Sequence, residues 1–164
     1  MKIFILFLFL LPCLCAQTWR QYYDYIAKWE GVSPIPYDDG GTQRIGVGHQ
    51  LRHPELWADK NGNIYWTEKD IEIAFYMDWQ IAMDTAKKFY PNFDTLPEPI
   101  RFILVDLSFN LGETRLREFK KFSNAILHKQ FGLAAKELKN SKWYGQVGLR
   151  AQHHVKILEE IKWQ

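Results

Sequence analysis

The chain has 164 residues with 21 basic and 19 acidic side chains, a formal charge of +2. That length suits one compact domain, in two lobes at most, with a sizeable core that its 16% of aromatic residues can fill. So slight a charge gives no ground for electrostatic capture of an acidic polymer, and no nucleic-acid partner is expected.

Lys2 is followed by an apolar run, 3–11, and then by Pro12-Cys13-Leu14-Cys15-Ala16. A short positive start, an apolar middle and small residues make a secretory signal over 1–16. A membrane span needs about 20 apolar residues, and this run stops short before polar Gln17-Thr18. The expected product is a secreted, extracellular chain, 17–164, with no stable membrane association after cleavage. A lipidated Cys13 or Cys15 is the alternative, but neither follows the small residues that such processing wants. Both cysteines lie in the signal, so the mature chain would hold none and rest on its core alone.

Thr18-Trp19-Arg20-Gln21 reads as a capping box opening a helix, with Trp19, Tyr22, Tyr23 and Ile26 on its apolar face. Glu30 continues that face four residues past Ile26, and Gly31 stops the helix. A carboxylate on an apolar stripe loses solvation, as a general acid must; an exposed last-turn Glu is the plainer alternative.

From 32 to 65 the helical period vanishes. Gly40-Gly41 marks a turn between extended runs at 35–38 and 44–47, and a second turn at 59–63 precedes Ile64-Tyr65-Trp66. This predicts a small antiparallel sheet. Asp59, Asn61 and Asn63 alternate as in an ion-binding loop, but no Glu closes it at the right distance. The pairs His49/His53 and His153/His154 lack a carboxylate or cysteine at ligand spacing and read as solvated. No metal is expected.

Thr67-Glu68-Lys69-Asp70 is a second capping pattern, and the helix after it, about 68–89, would reach roughly 30 Å, enough to join two lobes. Pro99 fits the first turn of the next helix, where Ile100, Ile103, Leu104, Leu107 and Phe109 predict the central buried element, ended by Gly112. Further helical runs are expected over about 116–129, 133–140 and 146–162. The class is therefore α+β: a β-rich lobe about 31–66, a linking helix, and a helical lobe about 95–164 that includes the N-terminal helix.

Many glycosidases need two carboxyls in different environments. Glu30 at a helix end and Asp39 on a hairpin are such a pair, but two acids alone are a weak signal. The residues around them are Glu30-Gly31, Tyr37-Asp38-Asp39 and Gly46-Val47-Gly48-His49, then Asn61-Gly62 and Thr67. Later come Ser108-Phe109-Asn110-Leu111-Gly112-Glu113-Thr114 and Ser141-Lys142-Trp143-Tyr144-Gly145-Gln146, with Arg150 and Ala151 behind. With these motifs in order over nearly all of the mature chain, it resembles the phage-type lysozymes, glycoside hydrolase family 24.

The resemblance implies a two-lobed lysozyme-like fold and a monomer without cofactor. It also implies hydrolysis of the β-1,4 bond between N-acetylmuramic acid and N-acetylglucosamine in bacterial peptidoglycan. Glu30 would protonate the glycosidic oxygen, and Asp39 would position or activate water on the opposite face. Inversion needs such carboxyls roughly 6.5–9.5 Å apart. Arg150 aligns with a family arginine that pairs with the acid, and His49 and Asp78 align with a structural ion pair. Gln50, Phe109, Asn110 and Lys142 match positions at or near the sugar site, though the family usually has an apolar residue where Gln50 stands.

The hairpin departs from the family in two ways. Arg44 stands where a threonine helps hold the attacking water, with Thr42 two residues away at the same parity. One residue is also missing: counting forward from Glu30 and Tyr37 selects Asp39, and counting back from His49 selects Asp38. Tyr37-x-Asp39 keeps both side chains on one strand face, which favours Asp39. An arginine there can pair with an Asp, weaken it as a base and exclude the water. Two functions follow: a secreted muramidase for defence, digestion or lysis, or a catalytically weak relative that binds glycans.

Overall fold

The computed structural model describes residues 11–161, and side chains from Trp19 onward. Helix α1 (Leu11–Glu30) leads into strands β1 (Ser33–Asp39), β2 (Thr42–Gly46) and β3 (His49–Gln50). The helices α2 (Glu68–Phe89), α3 (Glu98–Leu116), α4 (Lys120–Leu127), α5 (Phe131–Lys139), α6 (Lys142–Val147) and α7 (Leu149–Glu160) follow. This is the expected α+β class, with a three-stranded antiparallel sheet. The chain forms two compact units that divide inside α2, between Trp79 and Gln80, in keeping with a two-lobed lysozyme-like fold. Among the described residues no helix is long and apolar enough to cross a membrane.

In the first unit Tyr22 and Ile26 bury the inner face of α1, one turn apart. Tyr22 lies 5.8 Å from the Trp79 ring of α2, and Tyr23 meets Phe75 edge-on at 5.0 Å. Arg20 secures the same two helices through Glu72 at 2.6 Å. Gly31, at φ 77°, closes α1 with its N–H on the Ala27 carbonyl. The start of α1 differs from expectation. The helix passes through Thr18 instead of beginning there, because the residues ahead of Thr18 include good helix formers that extend it. Residues 1–10 of the expected signal lie outside the described residues.

The hairpin turn is made by Gly40 and Gly41, at φ 60° and 87°. A two-residue turn that matches strand twist needs positive φ at both places, which L-residues with a Cβ resist. Pairing then sets Tyr37 opposite Arg44, Asp38 opposite Gln43 and Asp39 opposite Thr42, while Arg44 also faces Gln50 and Ile45 faces His49. The strand predicted at 64–66 does not form. Trp66 donates one hydrogen bond to the Pro34 carbonyl, and Pro34 has no N–H to return, so no ladder starts there. At the head of α2 the second capping box does form: Thr67 N–H reaches Asp70 Oδ2 at 2.9 Å, and Asp70 N–H reaches Thr67 Oγ1 at 3.3 Å.

In the second unit α3 is the apolar helix the sequence predicts. Ile100, Ile103, Leu104, Val105 and Leu107 are fully buried, and truncating any of the long ones to alanine costs about 2–5 kcal/mol. Gly112, at φ 66° and ψ 172°, breaks the helix, but a final turn resumes to Leu116. Phe122, Ile126, Phe131, Leu138, Trp143 and Leu158 of the later helices complete this core. The run expected over 146–162 is two helices, split at Gly148, whose φ of 53° and ψ of −114° no helix accommodates.

Candidate active site

Opposed residues of an antiparallel pair share a face, so the register sorts the hairpin into two sides. Tyr37, Asp39, Thr42, Arg44 and Gln50 lie on one; Asp38, Gln43, Ile45 and His49 lie on the other. The second side is structural. Ile45 is fully buried, and His49 Nδ1 meets Asp78 Oδ2 at 2.8 Å with its ring 5.4 Å from Trp66. The contact expected between His49 and Asp78 therefore forms, and it ties β3 to α2. Asp38 turns its Oδ1 to the Gly41 N–H at 3.1 Å and so braces the turn.

The first side carries the chemistry-bearing groups. Glu30, the last residue of α1, is half-buried. A Cβ placed on Gly48 would lie 3.9 Å from its Oε2, so the closing turn passes directly beside this carboxyl. Gly48 is required for its backbone, at φ 73°, rather than for room. Tyr37 lies within reach of three charges. Burial raises its phenol pKa, the Arg44 charge opposes the rise, and the negative charges of Glu30 and Asp39 add to it. Glu30, Tyr37, Asp39 and Arg44 thus make one electrostatic cluster. Gln50 joins its sheet face and is exposed.

Within that cluster Arg44 is engaged twice. Its Nε donates to Asp39 Oδ2 at 2.6 Å, and its Nη1 donates to the Gly48 carbonyl at 2.7 Å. The contact between an arginine and an Asp anticipated from the sequence is thus made, and Asp39 is the partner. The pair is open to water: side-chain exposure is 59% for Asp39 and 34% for Arg44. Thr42 stands directly across from Asp39 on the same face.

The other expected site residues lie in the second unit. Asn110 Oδ1 accepts from the Trp143 indole N–H at 2.7 Å. Lys142 is exposed at the start of α6, just after Ser141, whose hydroxyl caps the helix by accepting from Tyr144 N–H at 3.1 Å. Asn110 and Lys142 both line a cavity of about 770 Å³, and Phe109, half-buried nearby in sequence, does not. Charged groups on its wall include Arg115, Lys120, Lys121, Glu118 and Glu137.

Behind Trp143 lies a buried ion cluster. Arg150 grips Asp106 through Nε at 3.0 Å and Nη2 at 2.7 Å, and His154 Nε2 meets Asp106 Oδ2 at 3.0 Å. Burial alone would raise the Asp106 pKa; hydrogen bonds from His154 and Arg150, with their charges, outweigh it and hold the carboxyl below its ordinary value. The reading of His154 as solvated is thereby corrected, since it is fully buried. The signal was present in the sequence. His154 falls four residues after Arg150, on the face of α7 defined by Ala151, Val155 and Leu158. Among the described residues no group of His, Cys, Asp and Glu is arranged to hold a metal ion.

A probable T4-type lysozyme 1 of Dictyostelium discoideum is 25% identical over 145 residues, covering 74% of this chain and 83% of the relative. A probable T4-type lysozyme 2 of the same organism is 25% identical over 132 residues, covering 80% and 72%. The peptidoglycan hydrolase gp36 of Pseudomonas phage phiKMV is 25% identical over 139 residues, 85% of this chain but 15% of that protein. No protein-family model matches the chain. The resemblance to phage-type, T4-like lysozymes read from the motifs is therefore found again over most of the chain.

Proposed function

We propose that the protein is a secreted muramidase that hydrolyses the β-1,4 bond between N-acetylmuramic acid and N-acetylglucosamine in bacterial peptidoglycan. The observation that carries this reading is the placing of Glu30 beside the Gly48 turn and of Tyr37 and Asp39 on a hairpin face shared with Gln50, with Arg44 joining Asp39 to that turn. The name of the phage relative, a peptidoglycan hydrolase, supports peptidoglycan as the substrate. Glu30 gives its proton to the glycosidic oxygen as the bond to the anomeric carbon breaks. Asp39 takes a proton from a water on the opposite face, and that water's oxygen bonds to the anomeric carbon. Gln50, Phe109, Asn110 and Lys142 are the sugar contacts in this reading. The leader over 1–16 would deliver the mature chain, acting as a monomer, outside the cell.

Loss of turbidity in a bacterial cell-wall suspension tests the proposal. Wild-type protein clears the suspension, and Glu30→Gln and Asp39→Asn each slow clearing by a factor of about 100 or more. A folded wild type as inert as both variants, yet still sedimenting with walls, would leave the second reading, a glycan-binding relative without hydrolysis. The specific observation favouring that reading is the contact of Arg44 with Asp39.

A further inference from the structure

Taking Asp39 as the hydrolytic base, an assignment that rests on the muramidase reading, we propose that Arg44 is a positioning residue that throttles this base without abolishing it. The guanidinium spans the hairpin from the end of β1 to the closing turn, on Asp39 Oδ2 at 2.6 Å and the Gly48 carbonyl at 2.7 Å. The guanidinium takes part of the acceptor capacity of Oδ2 and sets a positive charge beside the carboxylate that must take the water's proton, while Oδ1 receives no bond from it. Arginine can donate hydrogen bonds but cannot take the water's proton in the carboxylate's place. Turnover is therefore fastest from the form in which this contact is open.

Exposure decides how often it does. A buried arginine pair would shut the site, because opening it would strand two charges. This pair is 59% and 34% exposed, so water replaces each partner as it leaves. Exposed ion pairs of this kind, with one added charge-assisted bond to a carbonyl, hold a closed state by roughly tenfold rather than thousands. Salt screens such a pair and shifts it towards the open form. A lysine at the same place has one compact ammonium and no planar fork, so it engages Asp39 and the Gly48 carbonyl less well together. Threonine, short and uncharged, would leave the carboxylate to water.

The test measures kcat and KM separately on soluble, uncrosslinked peptidoglycan glycan strands, by release of reducing ends, at about 0.05 M and about 0.3 M salt. Arg44→Thr is expected to raise kcat roughly tenfold with KM little changed, and Arg44→Lys to fall between it and wild type. The wild-type kcat rises a few-fold with salt, and that of Arg44→Thr stays flat. Glu30→Gln placed on Arg44→Thr abolishes the gain. An active wild type whose kcat is exceeded by neither variant, or does not rise with salt, overturns the throttle and leaves the muramidase reading standing. Wild type and Arg44→Thr both inert, with thermal melts showing both folded, overturns the muramidase reading and the throttle with it. Should Arg44→Thr fail to fold, the salt response of wild type and the rate of Arg44→Lys decide the matter.

Discussion

Trp143 donates its indole N–H to Asn110 Oδ1 over 2.7 Å while its ring stacks on His154, with centroids 5.7 Å apart and planes 22° apart. One side chain thus links a proposed sugar contact to the buried Asp106 cluster. With its oxygen turned to Trp143, Asn110 directs its amide nitrogen elsewhere. Trp143→Phe keeps an aromatic ring and removes the donor. Steady-state kinetics on soluble glycan strands should show KM rising several-fold with kcat little changed, and urea denaturation a loss of about 1–2 kcal/mol. An unchanged KM would remove Asn110 from the sugar site.

Asp106 should be the most sensitive polar position of the second unit. Replacing it with Asn takes the Asp106 carboxylate away from the buried Arg150 and His154, at a cost of about 3–5 kcal/mol. Because its folded pKa lies below the ordinary value, its contribution is fully present above about pH 4 and is lost as pH falls through the folded value. Urea midpoints measured against pH should therefore separate wild type from Asp106→Asn widely near neutrality and draw together in acid. Parallel curves would contradict the assignment.

Tyr90 governs the alkaline limb. Its phenol is fully buried against the Ser123 hydroxyl at 3.0 Å, and burial pushes its pKa up to about 12 from 10.0. A raised folded pKa means stability that is whole below the unfolded value and is lost as pH climbs from about 10 to about 12, ~3 kcal/mol in all. Tyr90→Phe should flatten that decline while costing about 1 kcal/mol at neutral pH for the lost hydrogen bond. Thermal melts between pH 8 and 12 would show it.

Asp38 and Asp39 are neighbours with different work. Asp38→Asn should leave turbidity clearing within about twofold of wild type, since an amide oxygen still accepts from Gly41 N–H. Asp39→Asn should be nearly inert, since an amide cannot take a proton from water. The reverse order would transfer the base to Asp38.

Wall binding should depend on salt less than it does for strongly basic lysozymes, because a chain of formal charge +2 gains little from long-range attraction to anionic walls. Sedimentation with walls at about 0.05 M and about 0.15 M salt measures this. A steep fall in the bound fraction would contradict it.

Much of the scaffold was legible because its causes are local. Tyr22 and Ile26 lie on one helix face through the 3.6-residue period, Gly40-Gly41 turns through positive φ, and Thr67 and Asp70 cap each other across three residues. At two places where expectation and structure part, a distant partner decides. Trp66 finds only a proline carbonyl and forms no strand, and His154 finds Asp106 of another helix and is buried.

At the candidate site the sequence by itself determined the inventory: Glu30 at a helix end, two adjacent Asp residues on a glycine turn, and an arginine two residues past Thr42. Helix period, turn glycines and motif spacing are properties of a few consecutive residues. Which Asp meets the arginine, and how strongly, was decided only by the tertiary structure. Register placed Asp39 and Arg44 on one face and Asp38 on the other, and the closing turn offered Arg44 a second acceptor at Gly48. Ion pairs form or fail over ångströms, and burial sets their strength. Both come from how the strands pack.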